Sequence, residues 1–314
     1  MSFTAEVKDE LSRVTGTCPE CEVAQLSAIV RVCGTLSFHG SGEYSVRIAT
    51  ETGAVARTAI KLMHEVLDLD TQLTVRRSVL HKTRNYLIEV NGQPGLEPAL
   101  VRLGILIPGQ GLAQGVDDKI VARRCCAEAF LRGAFMAGGF IADPRGDFHL
   151  EIAVTGEAFA YALVDLCSGL GIHARLNRRR GAFAIYLKSF DDIVSLMAAM
   201  GASRTALAIE NVRVVKSVKN DVNRRVNAEI ANQARSCDAA ADQMGLIDRV
   251  EAEVGLSSLS PALRQFCEVR KANPDLSLRD LGLACDPPLS KSAVYHRVLR
   301  LEALVAEAEG VDAH

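Results

Sequence analysis

The sequence predicts an α+β fold in which two copies of an αββαββα unit are followed by a helical linker and a small, all-α C-terminal domain. Three observations carry this prediction. An apolar, helix-like segment that contains glycine near its end occurs at 26–35 and again at 131–140. A similar order of strand-like and helix-like runs follows each copy. The last third of the chain shows helical patterns alone. With 314 residues, of which 48% are hydrophobic, the chain is long enough for more than one core.

Strand and helix patterns recur in the same order in the two repeats. Alternating apolar and polar residues indicate strands, and apolar residues three or four apart indicate helices. These runs lie at 44–50, 55–66, 73–75 and 86–90 in the first repeat, and at 148–154, 159–170, 174–176, 182–187 and 191–200 in the second. We expect the apolar segments to form a pseudo-two-fold axis between the repeats.

The patterns divide the chain into four parts. We expect an N-terminal helix within 1–20, a repeat domain at 21–214 with repeats at about 21–115 and 116–214, a helical linker at 215–258 and the C-terminal domain at 259–314.

The apolar segments are expected to pack closely against each other as helices. Small residues at helical spacing, such as Ala28 in the first copy and Gly133 with Ala137 in the second, allow two backbones to approach. Gly34 and Gly139 follow as residues that end each helix without the steric penalty of a Cβ atom.

Both segments resemble the LAGLIDADG helix of homing endonucleases. They read LSAIVRVCGT from Leu26 and LRGAFMAGGF from Leu131. In that family, an acid near the end of each helix holds the divalent ions that cut DNA, a role that needs oxygen ligands. The matching positions here are Cys33 and Gly138, which offer no such oxygen. We therefore predict no catalytic residues and no enzyme activity.

Other acids are poor replacements for the missing pair. Asp143 and Asp147 follow the second segment, and Glu43 follows the first. The string from Asp143 to Gly146 is typical of a turn, which Asp begins and Gly closes. A residual LAGLIDADG nuclease is an alternative that the sequence disfavours.

Cys18 and Cys21 form a CxxC pair, which is half of a zinc site. Candidates for the other half are Cys33, His39 and the adjacent Cys125-Cys126, but they form no second CxxC or HxxxH pattern. A structural zinc site and a redox dithiol stay open, and the sequence favours two incidental cysteines in a loop. We assign no metal and no cofactor.

The linker carries a concentration of positive charge, although the net charge of the whole chain is only −2. Residues 212–235 contain six Lys or Arg side chains against Asp221 and Glu229. We predict a mostly polar helix at 217–232 that ends before Gly245, followed by a shorter amphipathic helix. A solvated helix face and a DNA-binding surface both fit this charge. Candidates for a secondary DNA contact are Arg224, Arg225, Arg178, Arg179 and Arg180.

Three helices with capping residues are predicted in the C-terminal domain, the second of them short. Ser260 precedes a helix that begins at Pro261, Ser277 caps a second helix, and Ser290 caps a third. This order is typical of a helix-turn-helix, whose last helix places its N-terminal residues against the bases of DNA. The candidate DNA-binding residues are Ser290, Lys291, Ser292, Tyr295, His296, Arg297 and Arg300. We expect the cationic groups to contact phosphate, and Ser292, Tyr295 and His296 to read bases.

Strings along nearly the whole chain resemble the WhiA family of bacterial sporulation transcription regulators. They are FTAEVKDEL from Phe3, the segment from Leu131 to Asp143, NDVNRRVN from Asn220, and PPLSKS from Pro287 with His296-Arg297. Tyr295 stands where the family pattern has Asn. The resemblance implies a degenerate LAGLIDADG domain joined to a helix-turn-helix, and a regulator of cell division and sporulation genes that binds double-stranded DNA. It also implies two protein partners, an iron–sulfur protein of the WhiB type and RNA polymerase.

Other features favour a cytoplasmic, nucleoid-associated protein without a membrane partner. The N-terminus is charged and lacks the apolar core of a signal peptide, and no apolar run reaches the roughly 18 residues of a membrane span. The chain has 9 cysteines, several of them in apolar patterns, which suits a reducing compartment. A protein-interaction scaffold, in which the repeat domain binds a protein or a small ligand in its old DNA groove, is the second alternative.

Overall fold

The computed structural model describes residues 2–39, 43–77, 84–179 and 181–310. The chain forms two compact units, Met1–Val215 and Lys216–His314. Among the helices of the described ranges, none is both long and apolar enough to cross a membrane.

The first unit begins with α1 (Phe3–Leu11) and continues into the first repeat. The elements of this repeat are α2 (Pro19–Cys33), β1 (Gly34–Phe38), β2 (Tyr44–Thr50), α3 (Gly53–Leu67), β3 (Gln72–Arg77), β4 (Arg84–Val90) and α4 (Leu96–Arg102). Its strands form an antiparallel sheet in the order β1-β2-β4-β3. Ile48 and Ile88, which face each other on β2 and β4, are fully buried in the core of the repeat.

A short hairpin and a helical turn connect the two repeats. They are β5 (Leu106–Ile107), β6 (Gly111–Leu112) and α5 (Asp118–Val121). The second repeat follows with α6 (Arg124–Gly138), β7 (Gly139–Ile141), β8 (Leu150–Val154), α7 (Glu157–Gly169), β9 (Arg175–Arg179), β10 (Ala182–Leu187) and α8 (Phe190–Met200). Its sheet has the order β7-β8-β10-β9. The αββαββα order predicted for both repeats is confirmed.

The two apolar segments lie in α2 and α6, which we call the motif helices, and these helices pack directly against each other. A Cβ atom on Gly133 would collide with the carbonyl oxygen of Gln25 and lie 3.0 Å from the Ala28 side chain. The predicted close approach is therefore confirmed. Buried Arg132 crosses the interface, where its Nε donates to Gln25 Oε1 at 3.1 Å and its Nη1 donates to Met200 O at 3.1 Å.

Gly34 and Gly139 follow the motif helices, but they do not serve as left-handed caps. Their φ angles are −91° and −81°, so the backbone is extended and enters β1 and β7 at once. A Cβ atom at either position would collide with a carbonyl oxygen of the preceding helical turn, at Val30 or Phe135. Lack of space, rather than backbone conformation, therefore requires glycine here.

The N-terminal helix α1 is part of the core of the first unit. Leu11 is fully buried in it. The Glu10 carboxylate accepts hydrogen bonds from the backbone N–H groups of Arg204 at 2.8 Å and Thr205 at 3.1 Å. Because these N–H groups belong to the first turn of α9 (Ser203–Glu253), Glu10 caps that helix.

α9 is one helix of 51 residues. The prediction of a helix that ends before Gly245 and a separate helix after it is wrong, because Gly245 lies inside α9. A glycine inside a helix costs about 1 kcal/mol relative to alanine. Burial of Leu246, Ile247 and Val250 in the core of the second unit offsets that local cost. The predicted domain boundary after residue 214 also lies within this helix.

Within residues 216–310, the second unit contains the larger part of α9 and four further helices. They are a 3₁₀ helix (Leu256–Ser258), α10 (Pro261–Ala272), α11 (Leu278–Leu283) and α12 (Lys291–Ala308). The predicted caps of the last two helices are confirmed, since Ser277 Oγ accepts from Asp280 N at 3.2 Å and Ser290 Oγ accepts from Ala293 N at 3.2 Å. Ser260 is followed by Pro261 without a side-chain capping bond.

The turn between α11 and α12 depends on Gly282. A Cβ atom there would collide with the carbonyl oxygen of Leu289 and lie 3.1 Å from Val294 Cγ2. The Leu289 N–H also donates to Gly282 O at 2.8 Å, which closes the turn. Phe266, Leu281 and the apolar face of α12 complete the core of this helix-turn-helix.

Candidate functional site

The amino end of α12 presents a polar, exposed surface. Its exposed members are Ser290, Lys291, Ser292, Tyr295, His296 and Arg300. On the opposite face, Val294, Val298 and Leu301 are buried against the neighbouring helices. This apolar stripe fixes the rotation of the helix and turns the polar face outward. The fold therefore brings six of the seven predicted DNA-binding residues to the N-cap and the exposed face of one helix.

Arg297 differs from the other six residues. It is half-buried, and its Nη1 donates to Gln265 Oε1 of α10 at 3.1 Å. Gln265 in turn donates to the carbonyl oxygen of Asp286, in the turn before α12. The guanidinium is thus held in place before any ligand binds, which lowers the conformational entropy that a later contact must remove.

A cleft of about 390 Å³ is bounded by α9, α10, α11 and the start of α12. Its cationic lining residues are Arg235, Arg270, Arg279 and Lys291, and none of the described residues that line it is acidic. We call it the basic cleft. Lys291 is predicted from the sequence, whereas the three arginines are not, because they come from three different helices. The sequence feature that could have indicated these arginines is the excess of positive charge in the segments that contain them.

Arg270 is the most buried cation of the basic cleft, with 1% of its surface exposed. Its Nη2 donates to Gln243 Oε1 at 2.7 Å, and its Nη1 donates to Leu276 O at 2.6 Å. Both acceptors are neutral, so these bonds do not compensate the charge. Burial lowers the pKa of Arg270, which reflects the cost of keeping this charge away from water. An anion in the cleft would reduce that cost.

The carboxyl ends of the motif helices are Cys33 and Gly138, where the LAGLIDADG resemblance places the metal-holding acids. A Cβ atom on Gly138 would collide with the carbonyl oxygen of Ala153 in β8 and lie 2.7 Å from Val32 Cγ1. No side chain therefore fits at position 138 unless a strand or a motif helix moves.

The surroundings of the Cys33 thiol also disfavour its use as a metal ligand. Its Sγ donates to the Ile29 carbonyl oxygen of its own helix at 3.3 Å. Burial raises the pKa of Cys33 to about 11, and the positive charge of Lys8 opposes this shift. Burial lowers the pKa of Lys8, which is 9% exposed. When Lys8 carries its proton, its charge close to Cys33 disfavours a divalent cation there.

Asp143, considered above as a replacement acid, forms the predicted turn. Its Oδ1 accepts from Arg145 N at 2.9 Å, and Gly146 N donates to Asp143 O at 2.9 Å. The side chains of Glu43 and Asp147 are exposed.

The five arginines predicted as a secondary DNA contact are distributed over both compact units. Arg178 lies on β9, with its guanidinium carbon 5.6 Å from the centre of the Phe183 ring. Arg179 ends that strand, and Arg180 lies outside the described residues. Arg224 and Arg225 are exposed on α9 in the second unit.

Cys18 and Cys21 are not incidental residues of a loop. Cys18 is the N-cap of α2, Cys21 lies in its first turn, and Cys125-Cys126 lie in the first turn of α6. The four sulfur atoms lie within 4.8 Å of one another. We call this group the cysteine cluster. Of the candidate partners, the fold brings Cys125-Cys126 to the CxxC pair, whereas Cys33 and His39 are not members of this group.

The fold and these surfaces define a class of protein in which a two-repeat LAGLIDADG-like domain without its acids precedes a helix-turn-helix. Family models for the three parts match this chain: the WhiA N-terminal LAGLIDADG-like domain at residues 19–106, the WhiA LAGLIDADG-like domain at 127–219 and the WhiA C-terminal HTH domain at 222–305. The chain belongs to the WhiA family, as the resemblance of its sequence strings predicted.

Full-length relatives and a solved structure agree with this assignment. The chain is 38% identical to a probable cell division protein WhiA of Heliobacterium modesticaldum, covering 98% of this chain and 97% of the relative. It is 36% identical to a protein of the same description from Clostridium novyi, covering 98% of both. The crystal structure of full-length DUF199/WhiA from Thermatoga maritima matches with a TM-score of 0.61 and 25% identity over 100% of both chains.

Proposed function

We propose that this protein binds double-stranded DNA sequence-specifically through its second unit and regulates the transcription of cell division and sporulation genes. The observation that carries DNA binding is the exposed amino end of α12, where polar groups able to read base edges adjoin cations able to contact phosphate. The names of the relatives support a link to cell division. The extension to sporulation genes rests on the family resemblance of the sequence strings.

The proposed contacts divide by chemistry. Ser292, Tyr295 and His296 read bases, because their short or planar polar side chains project from the first turns of α12. Lys291 and the guanidinium groups of Arg297 and Arg300 contact phosphate. We add the basic cleft to this second group, since a backbone phosphate there would pair with the charge of Arg270.

We also propose that the protein does not cleave DNA. Cleavage by the LAGLIDADG arrangement needs two carboxylates at the carboxyl ends of the motif helices. Gly138 has no space for a side chain, and the Cys33 thiol bonds to its own helix. Incubation of the purified protein with plasmid and magnesium tests this point, and magnesium-dependent nicking by the wild-type protein would overturn it.

The remaining parts of the proposal concern partners and location. The protein acts at the nucleoid, together with a small iron–sulfur protein of the WhiB type and RNA polymerase. Its secondary DNA contact is formed by Arg178, Arg179, Arg180, Arg224 and Arg225. Co-purification from cells, with and without nuclease treatment, separates direct protein partners from proteins held through DNA.

A gel-shift series at increasing salt, combined with genome-wide chromatin precipitation, tests sequence-specific binding. We expect discrete sites near cell division genes, and an affinity that falls as salt rises because phosphate contacts release counterions. Equal affinity for all DNA sequences would contradict the proposal. A protein that co-purifies with partners but binds no DNA would instead support the interaction scaffold.

A further inference from the structure

The cysteine cluster lies at the amino ends of the motif helices, the ends opposite to Cys33 and Gly138. Two of its members come from each repeat, one pair on α2 and one on α6. Cys21 and Cys126 are buried, and Cys18 and Cys125 are partly exposed. The cluster therefore has an interior side and a side that solvent reaches, so an ion can enter without unfolding of the protein.

The distances between the sulfur atoms match a site for one metal ion. Cys18 Sγ lies 3.4 Å from Cys21 Sγ, 3.7 Å from Cys125 Sγ and 3.6 Å from Cys126 Sγ. A tetrahedral zinc site with Zn–S bonds of about 2.3 Å has sulfur atoms about 3.8 Å apart. All pairs of the cluster lie within 4.8 Å. The sulfur atoms thus surround a space of the size that one ion needs.

We propose that the cysteine cluster binds one zinc ion through its four thiolates and thereby joins the motif helices of the two repeats. The four thiols release their protons to solvent when the ion binds. A set of four thiolates favours zinc over magnesium or calcium, which prefer oxygen ligands. Each repeat supplies half of the ligands, so the ion cross-links segments that are about a hundred residues apart in the chain.

The surroundings of the cluster stabilise the negative charge of a site with four thiolates. Both motif helices begin at the cluster, so the N–H groups and positive dipole ends of two helices lie beside it. Buried Arg132 lies near enough to interact with the charge of Cys21.

Metal content of the full-length protein, purified without a histidine tag under reducing conditions, tests this proposal. We expect about one zinc ion per chain in the wild-type protein, measured by mass spectrometry of the elements. Cys18→Ser removes one ligand at a helix N-cap where serine is itself favourable, so this variant is expected to fold. Its zinc affinity, measured by competition with a chelator, should fall about 100-fold or more.

Cys237→Ser is the matched control, because Cys237 is an exposed cysteine of α9 outside the cluster. It should keep the zinc content and affinity of the wild-type protein. A wild-type protein without zinc that also fails to take it up after reduction would overturn the proposal, and so would a Cys18→Ser affinity equal to that of the control.

Cobalt substitution provides a second measurement that does not depend on a variant. Addition of Co²⁺ to metal-free, reduced wild-type protein should produce the intense visible absorption of tetrahedral cobalt bound to thiolates, and zinc should displace it. Absence of this spectrum would overturn the proposal. A disulfide between Cys18 and Cys21 in protein isolated under protective alkylation would overturn it as well, in favour of a redox dithiol.

Discussion

The carboxyl ends of the motif helices and the amino end of α12 are both helix ends that family resemblances relate to DNA chemistry, the first by cleavage and the second by binding, yet their surroundings differ. At the first, Gly138 lies against β8 and the Cys33 thiol bonds to its own helix. At the second, the neighbouring helices cover one face only, and Tyr295 and His296 project into solvent. The packing around a helix end, rather than its presence, therefore separates an exposed polar surface from an end whose residues are held by neighbouring strands and helices.

The largest effect is expected from a carboxylate placed at the end of α6. Gly138→Asp should lower the free energy of unfolding by roughly 3 kcal/mol or more, because the new side chain must displace the backbone of β8 and the side chain of Val32. Urea denaturation measures this change. The variant should not acquire magnesium-dependent cleavage.

Gly169→Asp is the matched control for that substitution. Gly169 is the last residue of α7, as Gly138 is of α6, but nothing lies within 4 Å of a Cβ atom there. The change should cost less than about 1 kcal/mol, mainly from an acid at the negative end of a helix. Equal losses for the two variants would show that space is not what excludes an acid from position 138.

The second effect concerns base reading at α12. Tyr295→Ala should change the preference among DNA sites, with a loss of discrimination of roughly 1–3 kcal/mol at the base it contacts. Competition binding against a panel of site variants measures it. Tyr161→Ala is the control, since Tyr161 is 54% exposed in the first unit and Tyr295 is 51% exposed. Unchanged site selection in the Tyr295 variant would move recognition away from α12.

The third effect is a loss of DNA affinity on removal of a phosphate contact, in the basic cleft or next to it. Arg279→Ala should weaken binding to all sequences alike and reduce the slope of log affinity against log salt by about one unit. Arg297→Ala should do the same. Arg13→Ala, an exposed arginine paired with Asp9 in the first unit, should leave the slope unchanged. A loss of affinity restricted to particular sequences would show that Arg279 reads bases.

The smallest effect is expected for Cys33, at the partly buried carboxyl end of α2, and it depends on pH. Burial raises the pKa of Cys33 to about 11, whereas an ordinary thiol titrates at about 8.5. Between these values the unfolded chain loses a proton that the folded protein keeps, so Cys33 lowers stability as pH rises. Cys33→Ala should therefore reduce the fall in the free energy of unfolding between pH 7 and pH 10 by roughly 1 kcal/mol or less, because Cys33 is partly exposed.

Cys237→Ala serves as the control for the pH experiment, because Cys237 is exposed. Its pH profile should equal that of the wild-type protein. A Cys33→Ala profile that also equals it would show that the carboxyl end of α2 is open to solvent.

Most of the repeat architecture was predictable because hydrophobic period is a local property of the chain. The strand predicted at 44–50 is β2, and the helix predicted at 191–200 is α8. The short strands β1 and β7 were not located individually, since they begin at the glycines taken as helix ends. The continuity of α9 through Gly245 was missed because the penalty of glycine is local, whereas the burial that offsets it involves helices later in the sequence.

The candidate sites also differ in how far the sequence predicts them. The exposed end of α12 was predictable, since Ser290 caps the helix and its apolar residues at three- and four-residue spacing define the buried face. The shared cleft of Arg235, Arg270 and Arg279 was not predictable, because charge in a sequence does not show which side chains line the same cleft. The four cysteines were all noticed, yet their spacing gave no reason to join the two pairs.

The sequence by itself determined the order of elements, the caps of α11 and α12, the loss of the acids at Cys33 and Gly138, and the resemblance to the WhiA family. These follow from residue types and from spacings of a few residues, which act through local backbone preferences and side-chain periodicity. Only the tertiary structure decided that the end of α6 has no space for a side chain and that three arginines meet Lys291 in one cleft. It also brought the cysteine pairs of both repeats together. Each of these depends on the close packing of segments far apart in the chain, which local preferences do not specify.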